Sequence, residues 1–278
     1  MKFSKLVPRA LLAFVAIAII QVLAGMIVPM KPVLIPYFAL WMLASLAVTV
    51  AALSAVAVRA EWHGWRLGAA VSAIPLAIFS INLIEALVFL PNTQLEWGRI
   101  SLYTLVTAVL SVPVWAFLFG RRQDAVADHY RPIRSQSRGE LLWKFVFCDL
   151  LYVFLYFAVG AMIFPYVKDF YATQRLPSNG AIAALQLFVR GPLFILLALA
   201  ITRMLGLPRR SGAFAVGLVF TLLTGVATLL VPNPVFPDTV RWAHFCEVTS
   251  EMFVFGAVVA WLWGPPNMAR SPALQQAA

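Results

Sequence analysis

Charge is scarce in this chain. Only 12% of its residues are Asp, Glu, Lys or Arg, 62% are hydrophobic, and the mean hydropathy is +0.88. Soluble domains run near ~25% charged and ~45–50% apolar. The shortfall rules against a water-exposed globular surface and implies a polytopic membrane protein. Cysteine is scarce too. Cys148 and Cys246 fall in separate apolar runs, which argues against a disulfide framework and fits no zinc-finger spacing.

Of the three histidines, His63 and His129 lie in polar connections and only His244 in an apolar run. A bis-histidine haem would therefore need a ligand from another protein. There is no Walker A loop, no Gly-x-Gly-x-x-Gly, no His-Glu-x-x-His and no Gly-x-Ser-x-Gly. Primary ATP-driven pumping by this chain alone is thus disfavoured, and the sequence names no cofactor. No internal repeat stands out, which weighs slightly against a carrier, since many carriers are built from repeats.

The chain does have apolar runs of about 20 residues, the length that crosses a bilayer as a helix. Eight are expected, near 10–29, 35–58, 67–90, 100–119, 141–164, 181–201, 213–231 and 239–263. The fold class is therefore all-α, a polytopic bundle of about eight transmembrane helices. A single domain is expected over 1–264, with 121–140 as its longest cytoplasmic loop and 265–278 as a short, polar, disordered tail. The first run exceeds the ~7–15-residue core of a signal peptide, so an uncleaved first helix is preferred.

Local signals refine the boundaries. Pro113 predicts a kink in the fourth run, and Pro192 a break in the sixth. Tyr166 to Gly180 reads as an aromatic-rich loop, Asp238 as an N-cap, and Lys144 as a residue that snorkels from a helix end.

The net charge is +10, but the basic residues lie mostly between the runs. Segments 1–9, 59–66, 121–140 and 203–210 and the tail hold most of them. The alternate connections hold only Lys31, Arg99, Lys168, Arg175 and Arg241. The positive-inside rule then places both ends in the cytoplasm. Loop charge of this kind serves lipid headgroups, so the bilayer is the expected partner and nucleic acid is not. A multi-pass location in the cell membrane follows, the inner membrane if the source is bacterial. Trp97, Tyr166, Phe170, Tyr171 and Trp242 would form an outer aromatic belt.

The few ionisable residues inside the runs are the informative ones. His244, Glu247 and Glu251 stand at i, i+3 and i+7, which is one helix face. Asn82 and Glu85 share a face of the third run, and Gln186 and Arg190 one of the sixth. At ~1.5 Å per residue, Glu85, Gln21, Arg190, Glu247 and Glu251 all lie about 8–18 Å below the outer helix ends. Asp149 lies nearer the inner half and shares a face with Tyr152 and Tyr156. One polar site in the outer half is expected, built by helices one, three, six and eight.

Buried Glu–Arg and amide contacts can be structural glue between helices. Yet Glu85, Asp149, Glu247 and Glu251 outnumber the one deep permanent cation, Arg190, and cannot all ionise cheaply at low dielectric. Protons or a cation must make up the difference. The candidate substrate- or proton-binding residues are therefore Glu85, Arg190, Glu247, Glu251, His244 and Asn82. His244, Glu247 and Glu251 are also candidate metal ligands, through a His-x-x-Glu spacing that reverses the Glu-x-x-His of four-helix di-metal sites. Thr249 and Ser250 read as hydroxyls bonded back to their own helix.

Three functions fit. The first is a proton- or cation-coupled carrier of a small solute. The second is an intramembrane hydrolase or transferase on a lipid or prenyl substrate, with a carboxylate base and His244 as acid or metal ligand. The third is a non-catalytic assembly protein. The sequence leaves oligomeric state open.

Overall fold

The computed structural model describes residues 3–29, 35–89, 96–120, 137–174, 176–232 and 236–265. Most of the 121–140 loop and the tail from 266 lie outside the described residues, as do Lys31 and Arg175. Among those described there is no strand. Eight helices are long and apolar enough to cross a membrane, which points to a multi-pass membrane protein. We number them α1 (Phe3–Ile27), α2 (Phe38–Arg59), α3 (Gly64–Phe89), α4 (Trp97–Phe119) and α5 (Arg138–Ala172). Then follow α6 (Asn179–Leu205), α7 (Arg209–Leu230) and α8 (Asp238–Trp263).

Two boundaries and one side-chain placement differ from expectation. Helix α5 has 35 residues and runs through Pro165 to Ala172, so Tyr166, Phe170 and Tyr171 are helical and not in a loop. A proline costs little where neighbouring helices satisfy the freed backbone, and the aromatic side chains suit a helix end as well as a loop. Asp238 is the first helical residue and Pro237 the cap; the Asp238 carboxylate bonds Arg241 instead, at 2.8 Å. Lys144 is turned inward, 4% exposed, and pairs with Glu140 at 2.7 Å.

Backbone bonds tie one end of the bundle together. Gly64 N–H donates to Gly120 O at 2.8 Å, Glu61 N–H to Met204 O at 3.0 Å, and Arg209 N–H to Pro265 O at 2.9 Å. This tied end carries the α2–α3 and α6–α7 turns. The opposite end, called the far end below, carries the C-termini of α1, α3, α5 and α7. At the tied end Gly206 closes α6 with φ 56, a left-handed conformation that glycine adopts without penalty.

Helices approach closely where side chains are small. A Cβ on Gly217 of α7 would meet the Phe253 carbonyl of α8, and one on Gly68 of α3 would meet the Val112 carbonyl of α4. Ser111 donates to Ser72 across the α3–α4 contact at 2.9 Å. In a membrane, where lipid is as apolar as leucine, such packing and hydrogen bonds hold helices together. Tyr152, Phe194, Phe220 and Phe255, one each from α5, α6, α7 and α8, are fully buried and stack on one another at 5.2–6.2 Å.

Two helices widen into π turns, α6 at Gln186–Arg190 and α7 at Thr221–Val226. In α6 the Gly191 N–H reaches back five residues to the Gln186 carbonyl. Pro192 follows at once and has no N–H to continue the ordinary ladder. The helix therefore widens where a break was expected, and it resumes below.

Candidate polar site

The π turn of α6 aims Gln186 and Arg190 at α3. Arg190 is 4% exposed. Its Nη1 donates to Glu85 Oε1 at 2.8 Å and to Gln186 Oε1 at 2.9 Å, and its Nη2 to Asn82 Oδ1 at 3.1 Å. Gln186 Nε2 donates to Glu85 at 3.2 Å, and the Tyr152 hydroxyl donates to Gln186 at 3.3 Å. Below the guanidinium lie the rings of Phe194 and Tyr152, 5.5 and 6.0 Å from its carbon. The acidic partner of Arg190 is thus Glu85. Charge-assisted bonds in a dry site are strong, and Nη1 and Nη2 both make them, while the buried Nε has no partner in the protein.

A second cluster sits on α8. His244 Nδ1 lies 2.5 Å from Glu247 Oε2, one turn along the same helix. The other ring nitrogen, Nε2, lies 2.9 Å from the Tyr171 hydroxyl of α5. The ring is further fixed by Tyr171 and Phe236, at 5.9 and 5.5 Å between centroids. Glu247 also faces Gly160 of α5, where a Cβ would come within 3.2 Å of its Oε1. One further turn down α8, Glu251 is 3% exposed, and its Oε1 has no hydrogen-bond partner in the protein. It lies within electrostatic range of Glu247, Arg190 and Glu85. Tyr152 and Tyr156 of α5 lie within electrostatic range of charged groups in both clusters.

The sequence-predicted residues thus fall into one neighbourhood in two parts: Asn82, Glu85 and Arg190 in the first, His244, Glu247 and Glu251 in the second. The helices that build it are α3, α5, α6 and α8. Helix α1 was expected and α5 was not. Gln21 of α1 lines a separate cavity with α2, α3, α4 and α7. Tyr171 was missed because its stretch resembled a loop. A signal did exist, since Tyr152, Tyr156 and Tyr171 are all multiples of a helical repeat from the Asp149 face.

Asp149 is buried against Gly191, the residue after Arg190, and its Oδ1 has no partner in the protein. Thr249 and Ser250 donate to the Phe245 and Cys246 carbonyls at 2.6 and 2.7 Å, as back-bonded hydroxyls do. Arg241, expected in a connecting loop, is 3% exposed and donates to the Leu229 and Leu230 carbonyls at the end of α7, both at 3.0 Å.

The metal candidates are not arranged as ligands. Both nitrogens of His244 are engaged by protein groups, and among the described residues no three His, Cys, Asp or Glu side chains converge on a metal position. The i, i+3 spacing that suggested a metal pair makes a hydrogen-bonded dyad instead. No known protein family, curated protein or solved structure matches this chain.

Proposed function

We propose that this protein is a carrier that couples movement of a small solute to protons or a cation, with Glu251 and the Glu247–His244 dyad as the coupling groups. The observation that carries the reading is Glu251, a buried carboxylate with an oxygen left without a partner beside a second carboxylate. Glu85, Glu247 and Glu251 face a single permanent cation, Arg190. Even with His244 protonated, acidic groups exceed basic ones. At low dielectric such a layer takes up a proton or a cation and releases it when its surroundings change. Arg190 spends Nη1 and Nη2 on Glu85, Gln186 and Asn82, so its role here is to neutralise Glu85 and hold α3 to α6. The alternative role, anchoring an anionic solute, would fall to Nε, which has no partner in the protein.

In this reading both termini lie in the cytoplasm, the 59–64 and 206–208 turns face inward, and the far end faces outward, as the distribution of Lys and Arg requires. The dyad, nearest the far end, then meets the outside first. An intramembrane enzyme draws less support. His244 and Glu247 could move a proton, but the nearby hydroxyls of Thr249 and Ser250 are spent on their own backbone.

Proteoliposomes with an internal pH dye test the proposal, using pools of small uncharged and anionic solutes added outside. At least one pool should move the internal pH, and Glu251→Gln should abolish that movement while the protein still folds. Sodium-dependent uptake with a silent dye would assign the cation form. Solute entry without either ion, or proton movement intact in the Glu251→Gln and Glu247→Gln proteins, would sink the reading.

A further inference from the structure

On the other side of Asn82 from Arg190 lies a cavity of about 340 Å³ between α1, α2, α3, α4 and α7. We infer that it is a binding site for an uncharged amphiphile with a small oxygen-bearing head and a single apolar tail. The inference does not depend on the ion-coupling reading, because the cavity contains none of the coupling groups.

Its lining grades from polar to apolar along the bundle. Gln21, Ser45, Asn82, Tyr103 and Thr104 line one end, Thr49 and Thr107 the middle, and Leu53, Pro75 and Trp115, with Ser111, the other end. Counting ~1.5 Å per residue from the far end, the first group lies about 9–11 Å deep and the last about 21–27 Å. No lining residue is charged. A charged head would enter with no counterion, which is costly at this depth.

The hydroxyls narrow the head chemistry. Ser45 donates to Ala227 O at 2.6 Å, Thr49 to Ser45 O at 2.9 Å and Thr104 to Ile100 O at 2.8 Å. Their protons are spent, so these three offer only oxygen lone pairs to the cavity, while Thr107, whose Oγ1 has no partner in the protein, keeps its proton to donate. Asn82 gives its Oδ1 to Arg190, which leaves its NH₂ as a donor. A head that both donates and accepts, such as a hydroxyl next to an ester or ether, satisfies both kinds of group. The apolar end, closed by Trp115 and Leu53, takes a hydrocarbon tail. The volume lies in the ~300–1,000 Å³ range of small-molecule sites, and an apolar wall with a few placed polar groups is their usual form. Such a ligand can come from the bilayer or from water; the tail assigns it to the bilayer.

Native mass spectrometry of the full chain released from detergent tests this with four probes: 1-decanoylglycerol, decanoate, decane and glycerol. One decanoylglycerol should bind per chain and saturate. Binding should weaken at least tenfold in the Gln21→Leu/Tyr103→Phe protein and be lost in Ala108→Phe, which fills the cavity. If Ala108→Phe does not fold, Thr49→Phe fills the same space from α2. Binding should survive Glu251→Gln, so failure of the carrier proposal leaves this test intact. Decanoate or decane bound as tightly would overturn the head chemistry. Glycerol bound as tightly would overturn the tail. Adducts that never saturate, or that persist in both filled variants, would overturn the site.

Discussion

Replacing Glu85 with Gln isolates what the Arg190 network contributes. The substitution keeps the shape and one acceptor oxygen near Arg190 Nη1, at 2.8 Å in the native pair, but removes the charge. Gln186 and Asn82 remain as neutral acceptors at 2.9 and 3.1 Å. Breaking a buried ion pair by removing one partner costs about 3–5 kcal/mol, because the other charge stays buried. Two features lower that figure here. The Glu85 side chain is 26% exposed, so part of its field is screened, and three hydrogen bonds to the guanidinium can persist. A loss of about 2–3 kcal/mol results. At about 2–4 °C per kcal/mol for a chain of this size, the melting temperature should fall by about 5–10 °C. Thermal melting of purified protein in detergent reads this directly. The Glu85→Gln/Arg190→Gln protein has no stranded cation and should recover at least half of the loss, as a double-mutant cycle on an interacting pair requires. An unchanged melt for Glu85→Gln, or a double variant that loses the sum of the two single losses, would refute the account of Arg190 as a structural cation neutralised by Glu85.

Other perturbations separate the parts of the site. Glu251→Gln should change the melting temperature by no more than about 2–4 °C, because Glu251 has a carboxylate oxygen without a partner and removing its charge strands nothing; a drop as large as that of Glu85→Gln would make Glu251 structural. Tyr171→Phe deletes the 2.9 Å bond to His244 and should cost about 1 kcal/mol in a melt; a neutral effect would mean the bond does not hold the ring. Gly191→Ala would drive a Cβ into Asp149 and the Tyr152 ring, and overpacking of this kind costs about 1–3 kcal/mol. Asp149→Ala should relieve it, and failure to do so would place the strain in the π turn alone. Burial raises the pKa of Glu61, in the turn between α2 and α3 and packed against Gly206. Its neutral form is favoured by folding, so its contribution is full below the unfolded pKa and is lost as pH rises through the folded one. Melting temperature should therefore fall across the weakly acidic range as pH rises, and Glu61→Gln should flatten that slope; an unchanged slope would contradict the assignment.

Much of this site could be read from residue types alone, for a physical reason. A carboxylate or guanidinium inside an apolar run is too costly to be incidental. The fixed rise of a helix then converts its position in the run into a depth. That is why Glu85 and Arg190 could be placed in one layer before any geometry was available, and why Asn82 could be put on the face of Glu85. Rotation about each helix axis could not be read. These helices are apolar nearly all round, so no polar stripe marks the side that faces a neighbour. Gln21 was assigned to the site on depth alone, yet α1 turns it into the neighbouring cavity. Tyr171 was lost for a different reason: Pro165 and the run of aromatic residues after it look the same in an interfacial loop and in a helix extended by two turns.

The π turn of α6 also left only a faint trace, in Pro192. Its consequence is larger than its signal. In an ordinary α-helix Gln186 and Arg190 stand one turn apart on one face. The wider turn places both within reach of the same Glu85 oxygen, at 3.2 and 2.8 Å, and of each other at 2.9 Å. Wide turns of this kind recur at functional positions because they re-aim side chains without ending the helix. Here the turn brings Nη1 and Nη2 of Arg190 onto Glu85, Gln186 and Asn82, whose amide also lines the cavity beyond, and leaves Nε without a partner. Glu251, on the unwidened α8, gains no such partner. On the proposed reading, Arg190 is the charge held fixed by Glu85, and Glu251, within electrostatic range of it, is the one that comes and goes. A helix–helix contact built only for adhesion would have no need of the second.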